Sequence, residues 1–535
     1  MLDTYYVYDD FGNLTAVFPP MASDLIYNDK SQLESGSNMR WRYAYMYSYD
    51  HRNRCIQKKL PGADWIYYVY DKADQLIFTQ DGEQRPKGEW TFSIPDAFGR
   101  IVITGNVKNN AAIKVDMWKD AKTAPVVRGK YTGSTTNNGY EITGFSFTPT
   151  LIYTVNYYND YNCVGKNSFP AYTYNPDKEK EGFGKAYGRH DGNQILNKGL
   201  LTGSIVKTMG SEAKALYSVM YYDNKGRIIQ THAKNHMDGK DITFMEYDFV
   251  GNPKRMYTEQ TLTAAGKNIT TKELYTYAYD HAGRLLTTTH QLNGGTVTIL
   301  AKNEYDELGR LKSNQKHTHA NLKTNYSYNI RSWTKSITSP LFNQTLYYNE
   351  VYGGSKVQYN GNISAMSWKV SGDASLRGYA FSYDNLSRLT GANYLINGTA
   401  NTNYKMQNVS YDKHGNMTKM QLYGKRSDGE GKLVDDLTMN YNGNQLKSVK
   451  DAVKIATPNE SEDFKNNNTE VDIEYTYNSN GAMTKDLNKG ISSIKYNSLN
   501  LPQSIAIDGK GSIEYIYSAT GRKLQAYHKT ATTTY

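Results

Sequence analysis

Cysteine is almost missing from this chain, with two in 535 residues, Cys55 and Cys163. They lie far apart and form no CxxC or comparable spacing, so neither a disulfide framework nor a zinc site is read. Long apolar runs are missing too. Apolar residues make up 38% and mean hydropathy is -0.71, and no stretch approaches the roughly 18 uninterrupted apolar residues of a spanning helix. No transmembrane segment is expected. The opening MLDTYYVYDD has no basic segment leading into an apolar one, so the chain as given shows no signal peptide. A concentrated basic stripe is also lacking. The net charge of +10 is spread over small clusters such as Lys58-Lys59 and Lys425-Arg426, which argues against a nucleic-acid partner.

Tyrosine, by contrast, is abundant: 49 residues against 14 Phe and 6 Trp. That much aromatic mass with polar tips argues against disorder in spite of the low hydropathy. Many of these tyrosines belong to one recurring pattern, aromatic-x-Tyr-Asp/Asn-x-x-Gly-Arg/Asn-Leu/Ile. Clear copies run through Tyr6, Tyr8, Asp9, Gly12 and Leu14, through Tyr277, Tyr279, Asp280, Gly283 and Leu285, and through Tyr305, Asp306, Gly309 and Leu311. Others hold Asp223 with Gly226, Asp248 with Gly251, and Asp412 with Gly415. Looser copies start at Tyr49, Tyr70, Asp96, Tyr328, Tyr383, Tyr477, Tyr496 and Tyr517. Counted generously, there are about fourteen units, spaced by roughly 20 to 30 residues, a period typical of stacked repeats.

One unit can be built from elementary rules. Tyr-x-Tyr puts both rings on one face of a strand. Asp-x-x-Gly suits a type I turn, the Asp carboxylate accepting backbone N–H bonds and Gly supplying the positive φ that follows. A hairpin with a bulge at Gly is the result. The other occupants of the Gly slot include Asn53, Asp74 and Asn500, which tolerate the left-handed region; Ser332 and Ser387 suit it less well. A lone hairpin is marginal in water, so the units must dock side by side, and accumulated twist must curl the long antiparallel sheet. The expected fold is all-β, a spiralling shell of tandem hairpins. Almost nothing reads as helix, the best short candidate being near Ser211 to Leu216.

Three segments are expected along the chain: hairpins over 1–103, a β-rich insert with a polar loop over 104–200, and hairpins continuing the same shell over 201–535. Residues 174–192, 424–436 and 451–470 read as solvent loops.

The tandem Tyr-Asp units followed by Gly-Arg-Leu or Gly-Asn-Leu resemble those of the YD-repeat, or Rhs, proteins over nearly the whole chain. That family includes bacterial wall-associated proteins, polymorphic toxins and insecticidal toxin components, together with the animal teneurins. The resemblance implies a β-sheet cocoon that, in toxin members, encloses a C-terminal effector. This chain departs from the toxin pattern: it has no Asp-Pro dipeptide, it begins within a repeat, and eleven residues follow Leu524. It therefore reads as an internal shell segment.

Residues arranged for catalysis are not found. There is no G-x-S-x-G elbow, no H-E-x-x-H and no phosphate loop, and the glycines from Gly182 to Gly188 miss the dinucleotide fingerprint by one residue. His232 with His236, and His317 with His319, have spacings that suit metal ligation, but no third ligand is in reach and they read as surface histidines. The turn aspartates stand too far apart for calcium and read as turn formers. The arginines that follow the Gly slot, at positions 100, 227, 284, 310, 388 and 522, are expected to pair with neighbouring turns. The expectation is thus a non-enzymatic shell scaffold of a secreted or cell-surface bacterial protein, without metal or cofactor, whose partner is an effector (toxin) segment or a neighbouring shell chain. The alternative is a surface adhesin or carbohydrate-binding protein using tyrosine platforms for glycans; a cryptic carbohydrate-active enzyme ranks third.

Overall fold

The computed structural model describes residues 2–34, 38–118, 123–186, 197–210, 213–264, 267–454, 463–466 and 471–530. Among them, 35 strands join in one sheet whose pairings are antiparallel, and a separate two-stranded ribbon is made of Arg128–Tyr131 and Tyr140–Thr143. Each strand pairs mainly with its neighbours in sequence, as tandem hairpins require.

The Tyr strand of each unit runs into the Asp turn and returns with a one-residue shift of register. In the pair Lys267–Tyr279 with Leu285–Leu292, Ala278 faces Thr287 but Tyr279 faces Leu285. The same shift occurs at Tyr8, Tyr49, Tyr70, Tyr247, Tyr305, Tyr328 and Tyr383. An extra residue on one strand coils the sheet at every hairpin. All the Asp turns therefore line one rim, and the connecting loops line the other.

The coiling brings the sheet back over itself. Turn residues near the C-terminal end meet loop residues near the N-terminal end at separations of 393, 383, 396 and 345 residues. At its far end the strand Gly511–Ser518 pairs with Asn197–Met209, setting Ser518 opposite Thr208 and Tyr517 opposite Met209. The wall is thus a first winding up to about residue 400 with part of a second winding stacked on its loop rim.

The largest core lies where the insert covers the sheet. Phe78, Phe92, Ile94 and Ile103 are wholly buried, and Ile113, Trp118, Ala124 and Val127 pack against them. Farther along, the strands Leu285–Leu292 and Thr298–Tyr305 contain no buried residue. There the sheet is a single layer wet on both faces. Tyrosine suits such a surface because its ring covers a neighbour while its hydroxyl stays bonded, which accounts for a low apolar fraction in an ordered protein.

Three readings of the sequence need correction. A helix spans Pro20–Asn28 and another Asn38–Arg42, in a connection expected to hold none; Pro20 opens the first, since proline is well accepted in a first helical turn. The helix candidate near Ser211 is instead the start of the strand Ala215–Tyr222, with residues 211 and 212 outside the described residues. Residues 424–436 are no loop: Met417–Arg426 and Gly429–Asn442 form a long hairpin in which Arg426 faces Gly429. Of the polar run 174–192, Pro176–Glu181 forms a 3-10 turn and 187–192 fall outside the described residues.

Candidate functional site

The chemistry of the repeat gathers on the turn rim. At Asp306, the carboxylate Oδ1 accepts the N–H groups of Leu308 and Arg310 at 3.0 and 2.9 Å, and Oδ2 accepts Arg310 Nε at 2.7 Å. Gly309 closes the turn by donating to the Asp306 carbonyl, at φ +80°. The same constellation recurs at Asp50, Asp96, Asp223, Asp280 and Asp384. Asn13, Asn252 and Asn416 take the Arg role beside Asp9, Asp248 and Asp412. Gly12, Gly226, Gly251, Gly283 and Gly415 all have positive φ. The carboxyls respond to this environment. At Asp223, burial is outweighed by the backbone N–H and guanidinium of Arg227, and the pKa falls below the usual carboxylate value. At Asp280 and Asp384 the backbone N–H groups of Arg284 and Arg388 lead the same downward shift.

Each turn also grips the next. The guanidinium of Arg284 lies over the ring of Tyr305 and donates to the carbonyl of Asp306. Arg227 does so with Tyr247 and Asp248, and Arg388 with Tyr411 and Asp412. In return the Tyr hydroxyl donates backward to the carbonyl after the Arg or Asn, as in Tyr305 to Leu285 and Tyr411 to Leu389, at 3.0 and 2.6 Å. A planar cation stacked on an aromatic face and a hydroxyl aimed at a carbonyl together fix both spacing and register between units. In several units where the left-handed slot is not glycine, its side chain joins the ladder: Asp74 accepts from Arg54, Asn53 from Asn13, Ser332 from Arg310 and Ser387 from Asn360. That explains why serine is tolerated there despite its strain.

Replacing Gly283 or Gly309 with Val is expected to cost roughly 1–3 kcal/mol by holding a β-branched residue at positive φ. The added Cβ of Gly283 would meet only Asn252 Nδ2 at 3.8 Å, so the cost comes from the backbone rather than from a clash. Unchanged thermal melting of both variants would remove this role from the glycines.

The seam between windings is the second constellation. Lys413 pairs with Asp24, and His414 Nε2 accepts the N–H of Met21. Gln445 Nε2 donates to the Gly62 carbonyl, and Glu83 exchanges bonds with Ser479 and Asn480. Tyr153 donates to Ser498 at 2.8 Å. A cleft of about 590 Å³ opens on this seam among Lys214, His236, Lys495, Glu514, Tyr515 and Lys529.

Of the four histidines, His232 departs from expectation, whereas His317 and His319 are exposed as expected. His232 is buried, not on the surface; burial and nearby Lys240 push its pKa down to about 4, and its Nε2 lies 2.7 Å from Gln230 Nε2. His317 and His319 stack with ring centroids 5.0 Å apart. A group the sequence did not single out is Asp435, Asp451 and Asp463, whose carboxylate oxygens lie within 4.8 Å of one another. Burial is the main cause that raises Asp435 to about 6.

No family model matches the chain, and no curated protein matches it. Solved structures do. The chain is similar to the structure of the Photorhabdus luminescens Tc holotoxin pore at 13% identity and a TM-score of 0.57 over 99% of its length. It matches the crystal structure of TcdB2-TccC3 equally well, and that of TcdB2-TccC3 without its hypervariable C-terminal region at a TM-score of 0.56. At this identity the likeness is one of fold: an all-β shell like that of Tc toxin chains. The chain spans less than a quarter of those chains, 22–23% of their length.

Proposed function

We propose that this chain is a wall segment of an Rhs-type shell, a scaffold and not a catalyst, in a secreted or cell-surface bacterial protein that encapsulates or presents an effector segment. The observation that carries the reading is the return of the second winding onto the first, sealed by the pairing of Thr208 with Ser518. A wall that closes on itself at its seam is what a container needs, and the shared fold with TcdB2-TccC3 chains supports the same use. The turn ladder serves that role by making each hairpin hold the next without a thick apolar core. Tyrosine hydroxyls that bond to backbone carbonyls within the wall are committed to structure, which leaves the glycan-platform alternative without a specific support.

The test uses a flexible reporter carrying one protease site, fused after Tyr535 in one protein and before Met1 in another. Encapsulation at the C-terminal side is expected to slow cleavage of the first reporter many-fold relative to the second. Equal cleavage of both, at the rate of the free reporter peptide, would sink the container reading.

A further inference from the structure

A second cleft on the seam, of about 500 Å³, is walled on one side by Trp41, Arg42 and Gly62 of the first winding. Residues of 441–447 and 473–478 in the second winding form the other wall. Its walls are fixed by close contact. Gln445 Nε2 donates to the Gly62 carbonyl at 2.9 Å. A Cβ on Gly62 would come within 2.9 Å of that same Nε2, and one on Gly443 within 2.7 Å of the Arg42 carbonyl oxygen. The neighbouring turn is held too, Asp64 donating its N–H to the Ser479 carbonyl at 2.7 Å. The two glycines let the windings approach to backbone contact, so the cleft is a preformed space rather than a gap between loose layers.

The charge of the lining is one-sided. Arg42 and Lys447 are its cations, and no carboxylate lines it. Neither cation has an ion-pair or hydrogen-bond partner among the described residues. Glu474, next in the chain to the lining residue Ile473, is committed elsewhere: it is buried and accepts from the Val449 N–H and from Asn488 Nδ2. In the larger seam cleft, by contrast, Lys214 and Lys529 are paired with Asp238 and Glu514. Aromatic surface completes the lining. Trp41 is 41% exposed. The hydroxyls of Tyr441 and Tyr477 donate to the carbonyls of Met417 and Leu446, which leaves ring rather than hydroxyl to offer a ligand. Asn442 Oδ1 is buried with no hydrogen-bond partner among the described residues, a cost that a donor on a ligand would remove. Unpaired cations in a largely aromatic concavity suit a ligand that brings both a negative charge and a flat apolar face.

We propose that this cleft binds a small organic anion with a flat aromatic body, an aryl carboxylate or sulfonate, its charge met by Arg42 and Lys447 and its ring by Trp41. Arg42 belongs to the first winding and Lys447 to the second, so the ligand binds the closed seam best and stabilises it by linkage. The inference stands whether or not the shell holds an effector.

The test is a fluorescence titration of the full chain with anilinonaphthalene sulfonate, beside its uncharged analogue phenylnaphthylamine. The sulfonate is expected to bind roughly ten-fold or more tighter than the analogue, the difference that one charge-assisted contact supplies. Arg42→Gln and Lys447→Gln should each remove most of that advantage and leave the affinity of the analogue unchanged, whereas Lys529→Gln in the larger cleft should alter neither. Equal affinity of the two probes for the wild-type chain overturns the inference without recourse to any variant. Sulfonate binding that survives both cleft substitutions, or that falls as far with Lys529→Gln, overturns it as well. Bound sulfonate is further expected to slow amide exchange at Asp64, whose N–H crosses the seam to Ser479. Exchange there that is the same with and without saturating sulfonate overturns the coupling of ligand to seam.

Discussion

Phe78→Ala is expected to lower stability by about 3–5 kcal/mol, the range for truncating a buried aromatic residue, and to loosen the insert from the wall before the hairpins come apart. Phe78 is wholly buried, with its ring centroid 5.9 Å from those of Trp118 and Phe145 and 5.3 Å from that of Phe147. Those three rings come from the insert, while Phe78 itself belongs to the strand Leu76–Gln80. Removing it leaves a void beside the insert, which is held elsewhere by Arg128 donating to Asp71 and by Tyr140 donating to the Asn156 carbonyl. The transfer loss and the cavity therefore add. Urea unfolding gives the magnitude, and amide exchange gives the location: protection should fall around Ile113 and Val127 while persisting in Leu285–Leu292. A midpoint unchanged from wild type, or uniform loss of protection along the chain, would show that Phe78 does not join insert to wall.

The hairpins could be read from sequence because the forces that fix them are local. Asp306 bonds to N–H groups two and four residues on, and Gly309 must take positive φ three residues on; both lie within one turn of chain. The grip between units was half legible. Arg284 looked like a partner for a neighbouring turn, but the backward bond from Tyr305 to Leu285 leaves no mark in the spacing, since a solvent-facing Tyr would read the same. The seam was not legible. It joins residues nearly 400 positions apart, and the residues used, such as Ser479 and Asn480 with Glu83, are ordinary turn residues anywhere else. The hairpin at 417–442 was misread for a related reason. Its outer half carries Gly, Lys and Asp like a loop, and the backbone ladder holds it as strand together with side-chain bonds such as Asn403 to Glu430 and Arg426 to the Leu433 carbonyl.

The second large effect concerns the turn of Asp71, whose repeat carboxylate is wholly buried. Asp71 accepts the N–H groups of Ala73 and Gln75 through Oδ1, as its counterparts do. Its Oδ2, however, meets the Val127 N–H at 3.1 Å and Arg128 Nη1 at 2.8 Å, because Gln75 occupies the slot where other turns carry Arg or Asn. The side chain of Asp71 is 0% exposed and that of Arg128 20%. Asp71→Ala is therefore expected to cost about 3–5 kcal/mol, as removal of one partner from a buried pair does, far more than the same change at the solvent-exposed turn of Asp306. Much of that loss is the stranding of Arg128 and of the buried Val127 N–H rather than the worth of the pair itself. A double-mutant cycle separates the two: Arg128→Met in the Asp71→Ala background should restore part of the stability, so that the double variant is less damaged than the sum of the single variants. Strict additivity of the two changes would mean that the insert is not held to this turn by charge, and that Asp71 serves its hairpin alone.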